Sequence, residues 1–203
     1  MAGLPTATGP IAAVSTGAMF LVSPAIPKIV ETFGKKRAYV AAGVVTALGA
    51  VGIALTPPSV LALALVFFAV YGAGIAAVQN LIFALQADTV EYGEWETGVR
   101  TEGSNYAVLS FSRKVGQGIG GGLAAFGIGV GGYVAGAAMQ SPGALDVIRY
   151  LTGFGPAVFV GIGAAIMLAY PLTEERFGEV VRQIAFRRAE RGRRRDQVPQ
   201  SDG

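Results

Sequence analysis

An all-α, polytopic membrane protein with about five crossing helices is the fold class the sequence predicts, and three observations predict it. Charge is scarce: Asp, Glu, Lys and Arg make up 14% of the 203 residues, where a soluble domain carries roughly 25%. Charge is also segregated, with none in residues 1–27, 38–87, 115–145 or 150–173. An apolar helix needs about 20 residues to cross ~30 Å of hydrocarbon, and these uncharged runs are long enough. Glycine, at 30 of 203 residues, is about twice its usual ~7%, which in an apolar chain points to closely packed helices. This composition excludes a soluble enzyme. With no Cys and no His, it also excludes a Cys or His metal site, a Cys or His catalytic dyad and a disulfide scaffold.

The first span is predicted over residues 11–30, interrupted late by Pro24 and Pro27 and closed by Lys28, Glu31 and Lys35-Lys36-Arg37. The apolar run that follows is too long for one crossing. It breaks at Thr56-Pro57-Pro58-Ser59, where two missing backbone donors force a turn, giving spans over 37–55 and 59–86. A polar stretch from Ala87 to Gly103 comes next and is read as a loop. The fourth span covers 104–131, closed by Gly131-Gly132-Tyr133. The fifth covers 147–170, ended by Tyr170-Pro171. Residues 173–203 form an arginine-rich tail, expected to be disordered at its end.

Orientation follows from Lys and Arg near the span ends. Basic residues concentrate in the 28–37 segment and in the tail (Arg182, Arg187, Arg188, Arg191, Arg193, Arg194, Arg195). Both are expected on the cytoplasmic side of the inner (plasma) membrane, which puts the N-terminus of the chain outside. The tail reads as a topology signal held at an anionic leaflet, and no nucleic-acid partner is expected. An uncharged start on the outer side and an odd number of spans suggest that helices precede this segment.

Only the fourth span carries full charges deep in its interior. Lys114 lies about 16 Å along the axis from Gly103, roughly mid-bilayer. An ion there costs at least ~2.5–3.5 kcal/mol unless it faces a cavity or a partner. At about 100° per residue, Glu102, Tyr106, Ser110, Arg113, Lys114, Gln117 and Gly121 share an arc of about 120°. Val108, Phe111, Val115, Ile119 and Leu123 lie opposite. A polar stripe beneath an intramembrane lysine favours transport or ion coupling over a structural pair. Arg113 has two readings, as part of that stripe or reaching back toward Glu102. Gln79, Asn80 and Gln86 in the third span would hydrogen-bond a polyol or, more commonly, a neighbouring helix. Gly116-Gln117-Gly118-Ile119-Gly120-Gly121 fits G-x-G-x-x-G literally, but it follows no strand, so dinucleotide binding is rejected. The Gly116/Gly120 and Gly118/Gly122 spacings instead predict close helix contact.

The run Ala87-Asp88-Thr89-Val90-Glu91-Tyr92-Gly93-Glu94-Trp95-Glu96-Thr97-Gly98-Val99-Arg100-Thr101-Glu102-Gly103 resembles a signature of the glycoside-pentoside-hexuronide:cation symporters. These are the melibiose-carrier relatives within the major facilitator superfamily. The resemblance continues through Phe111-Ser112-Arg113-Lys114-Val115-Gly116-Gln117. It also takes in Phe33-Gly34-Lys35-Lys36-Arg37 upstream and Tyr170-Pro171-Leu172-Thr173-Glu174-Glu175-Arg176 downstream. The resemblance implies a twelve-span fold in two halves, of which this chain is similar to spans eight to twelve. It implies a cytoplasmic gate loop of Asp88, Glu91, Tyr92, Glu94, Arg100 and Glu102, and an intramembrane Lys114 near the cation and sugar sites. Glu96 stands where the motif commonly has a lysine. Gln79 stands where melibiose carriers have a sugar-facing tryptophan, which leaves the sugar open.

The expectation is therefore a C-terminal portion of a sugar:cation symporter, incomplete alone and not an enzyme. Its substrate and cation pathway would be lined by Lys114, Gln117, Tyr106, Ser110, Gln79 and Asn80. No cofactor is expected beyond a coupling Na⁺ or H⁺. The expected partners are the sugar, a monovalent cation, the bilayer and an N-terminal half on the same or a separate chain. The competing reading is a stand-alone five-span subunit that transports nothing and acts by interaction or regulation.

Overall fold

The structure, a computed structural model, describes residues 4–137, 139–171 and 174–196, and every regular element among them is helical. The chain begins with α1 (Leu4–Val22), a single 3-10 turn at Ser23–Ala25, and α2 (Ile26–Phe33). Pro24 and Pro27 each fall at a helix start, where the missing N–H has no helical partner to lose. The interruption predicted at these prolines is thus one tight turn. Gly34, at φ +79°, links α2 to α3 (Lys35–Leu55).

After the Pro57-Pro58 turn, α4 runs Leu61–Thr97 and ends at Gly98 in the left-handed conformation, φ 75°, the usual helix stop. Next come α5 (Glu102–Val130), α6 (Pro142–Leu168) and α7 (Glu174–Asp196). Ser141 caps α6, its hydroxyl accepting the Ala144 N–H at 3.1 Å.

Among the described residues, four stretches are long and apolar enough to cross a membrane: Gly9–Phe33, Lys35–Leu55, Leu61–Thr97 and Pro142–Leu168. Helix α5, the fourth span expected from the sequence, has the length, but Glu102, Arg113, Lys114 and Gln117 dilute its apolar character.

Helices α1 and α6 begin earlier than expected, at Leu4 and Pro142, and two further boundaries differ more from the sequence reading. The polar stretch after residue 86 is mostly helix, since α4 continues to Thr97 and only residues 98–101 separate it from α5. Its 37 residues make a rod of about 55 Å, so the charged end projects well past a ~30 Å apolar layer. Charge marks where hydrocarbon stops, whereas a helix stops only where its backbone is broken, here at Gly98. The arginine-rich tail is likewise helical through Asp196. The end for which disorder was expected, residues 197–203, lies outside the described residues.

Helix α3 is the centre of the bundle, packed along both α4 and α6, with α1 on the other side of α4. The contact is close because glycines line it. A Cβ added to Gly49 would come 2.6 Å from the Tyr71 nitrogen, one on Gly72 2.6 Å from the Ser15 carbonyl oxygen, and one on Gly153 2.6 Å from the Ala50 carbonyl oxygen. Thr46, fully buried, donates its hydroxyl to the Ala42 carbonyl at 2.7 Å, so no polar atom is stranded there. Large apolar side chains such as Phe20, Leu21, Phe111, Phe126 and Ile166 are exposed. Surfaces of this extent mark contact with lipid or with another protein.

Candidate functional site

Helix α5 has no buried residue and leans only lightly on α4 and α6. The cleft it makes with α4 contains two cavities. On α4, Gln79, Ile82, Gln86 and Thr89 recur at i, i+3, i+7 and i+10 and so share one face; on α5, Asn105, Leu109, Ser112 and Gly116, at i, i+4, i+7 and i+11, share another.

The first cavity, about 400 Å³, lies between Gln79, Ile82 and Phe83 of α4 and Leu109, Arg113, Gly116 and Gln117 of α5. The Arg113 guanidinium approaches the Gln79 side-chain oxygen at 3.5 Å and sits 5.4 Å from the centroid of the Phe83 ring, within cation–π range. Arg113 therefore turns to α4 and not back to Glu102, which is paired elsewhere.

Of the six pathway residues expected from the sequence, Gln79 and Gln117 meet in this cavity. Lys114, Tyr106 and Ser110 stand on the open face of α5 and are exposed, with no hydrogen bond or ion pair among the described residues. Asn80 spends its amide donor on its own helix, bonding the Ala76 carbonyl at 2.8 Å. The polar arc read from the helical wheel thus splits: one edge looks into the cleft and the rest looks away from this chain. The small-residue spacing expected to give close contact does not give it here. A Cβ on Gly116, Gly118, Gly120, Gly121 or Gly122 meets nothing within 4 Å.

The second cavity, about 310 Å³, continues toward the charged end of the bundle. Gln86, Thr89, Asn105, Val108 and Ser112 line it, together with Tyr39, Met167 and Tyr170. Ile82 and Leu109 line both cavities. Gln86 is only 7% exposed, and both atoms of its amide are buried without a hydrogen-bond partner.

Of the six residues expected to form a gate, Asp88, Glu91, Tyr92 and Glu94 lie near the end of α4, Arg100 in the linker and Glu102 at the start of α5. Lys35 binds Asp88 at 2.5 Å, lies 4.6 Å from the Phe177 ring centroid, and donates its backbone N–H to Glu174 at 2.6 Å. Lys36 donates to the Tyr170 carbonyl at 2.8 Å. Glu94 accepts from Arg188 at 2.7 and 2.8 Å and from Arg100 at 3.2 Å. Arg100 also donates to Glu102 at 3.0 Å, so one guanidinium ties the last turn of α4 to the first turn of α5. Glu91 is half-buried and joins no ion pair among the described residues. Tyr92 packs its ring 5.6 Å from that of Trp95.

Above these pairs lies α7, which buries Val180 and Ile184. Trp95 donates its indole N–H to Gln183 at 2.6 Å, and Arg187 donates to the Trp95 carbonyl at 2.7 Å. The arginines beside Glu94 hold its carboxyl below the usual carboxylate range, Arg188 through its hydrogen bonds foremost. Arg100 does the same to Glu102 and is itself raised by that bond. The sequence reading missed both this docked helix and the Gln86 cavity. Phe177, Val180, Val181 and Ile184, at helical spacing inside the tail, are the signal that would have found the first.

Among the described residues no group of acidic side chains could hold a metal ion. The arrangement offers an apolar-walled cleft with amides and one guanidinium, closed at one end by ion pairs. Its donors and acceptors can bind a polar solute.

A family model described as MFS/sugar transport protein matches residues 3–174. The chain is 37% identical over 166 residues to the glucuronide carrier protein homolog of Escherichia coli (strain K12), covering 82% of this chain and 36% of that protein. It is 32% identical over 170 residues to a protein of Bacillus subtilis (strain 168) named an uncharacterized symporter, covering 83% of this chain and 36% of the relative. It is 43% identical over 97 residues to the isoprimeverose transporter of Lactiplantibacillus pentosus, covering 48% of this chain and 20% of that protein. The chain thus spans little more than a third of the length of the curated relatives that it matches over most of its own length.

Proposed function

This chain belongs to the MFS/sugar transport protein family, and from that membership we propose that it is the C-terminal portion, spans eight to twelve, of a sugar:cation symporter. The observation that carries the reading is α5. It bears Arg113, Lys114 and Gln117, yet buries nothing within this chain. A helix with ionised groups near mid-bilayer needs a partner on its open side, and the N-terminal half that its relatives' length allows for is that partner.

In the assembled transporter the sugar binds between the halves near the midplane, and the halves rock to open the site to one side and then the other. Arg113, held over Phe83, and Gln79 present a donor-rich wall to the substrate. Lys114, on the face turned to the other half, supplies positive charge beside the coupling Na⁺ or H⁺. The substrate class is a glycoside, pentose or hexuronide, a reading that the glucuronide and isoprimeverose in two relatives' names support. The charged end faces the cytoplasm of the inner membrane, and Arg100, bridging Glu94 and Glu102, is part of the gate there.

Lys114→Ala in the full-length transporter is expected to abolish cation-coupled uptake while leaving the amount of protein in the membrane unchanged. Vesicle uptake of labelled sugar under an imposed cation gradient measures this, and normal coupled uptake by the variant sinks the role of Lys114.

A further inference from the structure

We infer that the α4–α5 cleft holds a second binding subsite, built around Gln86, for an uncharged polyhydroxylated solute; the inference rests on the sugar-transport reading above. The first observation is the Gln86 amide itself. It is more than nine-tenths buried, lines a cavity of about 310 Å³, and neither its donor nor its acceptor meets a protein partner. Buried polar groups are almost always satisfied, so such an amide implies an occupant that both accepts and donates.

Second, the polar side chains around it are available. Asn105 and Ser112, across the cleft on α5, bond no side-chain partner among the described residues. Thr89, whose hydroxyl donates to the Gln86 carbonyl at 2.7 Å, keeps its acceptor capacity. Third, no Asp, Glu, Lys or Arg lines the cavity, and its remaining wall is aliphatic or aromatic. An ion would have no counter-charge, and a purely apolar guest would leave the amide unmet. A sugar or polyol, with hydroxyls that donate and accept and C–H faces that pack on apolar walls, satisfies both conditions. The volume sits at the low end of the roughly 300–1,000 Å³ typical of small-molecule sites.

Position gives the subsite its role. Gln86 lies two helical turns, about 10 Å, beyond Gln79 along α4, and Ile82 with Leu109 forms the sill shared by the two cavities. A solute leaving the Arg113 cavity toward the charged end crosses that sill and meets the uncharged site before the Lys35–Asp88 and Arg100–Glu94 pairs. The subsite is therefore a transit station for the neutral part of the sugar.

The absence of cysteine from this chain makes the test direct. In the full-length transporter, freed of any other cysteine, Val108→Cys reports on the Gln86 cavity and Gly116→Cys on the Arg113 cavity. Alkylation by N-ethylmaleimide is followed in vesicles with and without xylitol or isoprimeverose. Both solutes are expected to slow the reaction at Val108→Cys. Adding Gln86→Leu should weaken that protection about fivefold, the effect of one lost hydrogen bond, and leave protection at Gly116→Cys unchanged, which also shows that the variant is folded.

Equal protection at Val108→Cys with glutamine or leucine at 86, or none from either solute, overturns the subsite and leaves a cavity filled by water alone. Cation-driven sugar uptake by the unsubstituted protein in the same vesicles tests the transport reading separately. Its absence sinks that reading, while the alkylation rates, which need no transport, still decide the subsite.

Discussion

Glycine serves opposite ends in two regions of this molecule. Along the seam between α3, α4 and α6 it lets backbones touch: Gly49 lies against the main chain of Tyr71, and Gly153 against Ala50 and Ala54. Along α5 the same residue recurs just as densely, and Gly116 through Gly122 face open space. The seam is an interface completed inside this chain. The α5 face has the composition of an interface but no partner here. Small residues license close approach without causing it. The approach occurs where a facing helix is present, so sequence spacing alone does not tell a made contact from an unmade one.

The largest effect that would break this contrast comes from adding bulk to the seam. Gly153→Val drives side-chain atoms into the Ala50 carbonyl and Ala54 and is expected to destabilise the bundle by about 1–3 kcal/mol, in the overpacking range or above it. Gly118→Val on α5 should leave the 203-residue chain within about 1 kcal/mol of the original. Thermal unfolding of the two variants in detergent measures the difference, and comparable losses would mean that α5 is packed after all. If the proposed second half meets the α5 face, the contrast should shrink in the full-length transporter.

A smaller effect is expected where the packed and the open regions are joined. Arg100 is the side chain that ties the end of α4 to the start of α5, through Glu94 at 3.2 Å and Glu102 at 3.0 Å. Neutralising Arg100 and Glu102 together should change the rate of transport several-fold more than sugar affinity, since exposed pairs of this kind are worth little energetically and the proposed gate turns on this bridge. Uptake kinetics set beside equilibrium binding separate the two quantities. A change in affinity alone argues against a gate.

The smallest effect concerns α7, and pH reveals it. The carboxyl of Glu94, beyond the apolar part of α4, is lowered by Arg188 and Arg100 from an ordinary value of 4.5. A depressed carboxylate contributes stability that is fully present above its ordinary value and is lost as pH falls through the lower value of the docked state. Docking of α7 should therefore hold at neutral pH and loosen at acid pH. Trp95, the single tryptophan of the chain, bonds Gln183 of α7, so its fluorescence reports the change. Glu94→Gln is expected to show the acid-form spectrum at neutral pH, and a spectrum identical to that of the unsubstituted protein would separate Glu94 from docking.

Much of the fold was legible in the residues themselves. Uncharged runs located the four stretches that are long and apolar enough to cross among the described residues, while α5, expected as a crossing, falls short of that apolar character; Pro57-Pro58 marked the α3–α4 turn, and the run from Ala87 to Gly103 carried the family resemblance. Helix ends were less legible. Asp88, Glu91 and Glu94 looked like loop residues because charge and helix breaking are easily confused, although glutamate is a good helix former and only Gly98 stops α4.

The candidate site was half legible. Lys114 and Gln117 stand out because a polar group in an apolar run is conspicuous, and Gln79 and Arg113 were both noticed. That these two meet across the cleft, that Lys114 does not join them, and that Gln86 faces a cavity rather than a neighbouring helix were decided only by the tertiary arrangement. The reason is physical. In water a helix reveals its inner face by an apolar stripe, whereas in a membrane the faces toward lipid and toward protein are both apolar. Composition and order therefore determined the membrane-protein class and the family, while the rotation of each helix, and with it which polar side chains converge, was set by how closely the glycine seam let α3, α4 and α6 approach and where that left α5.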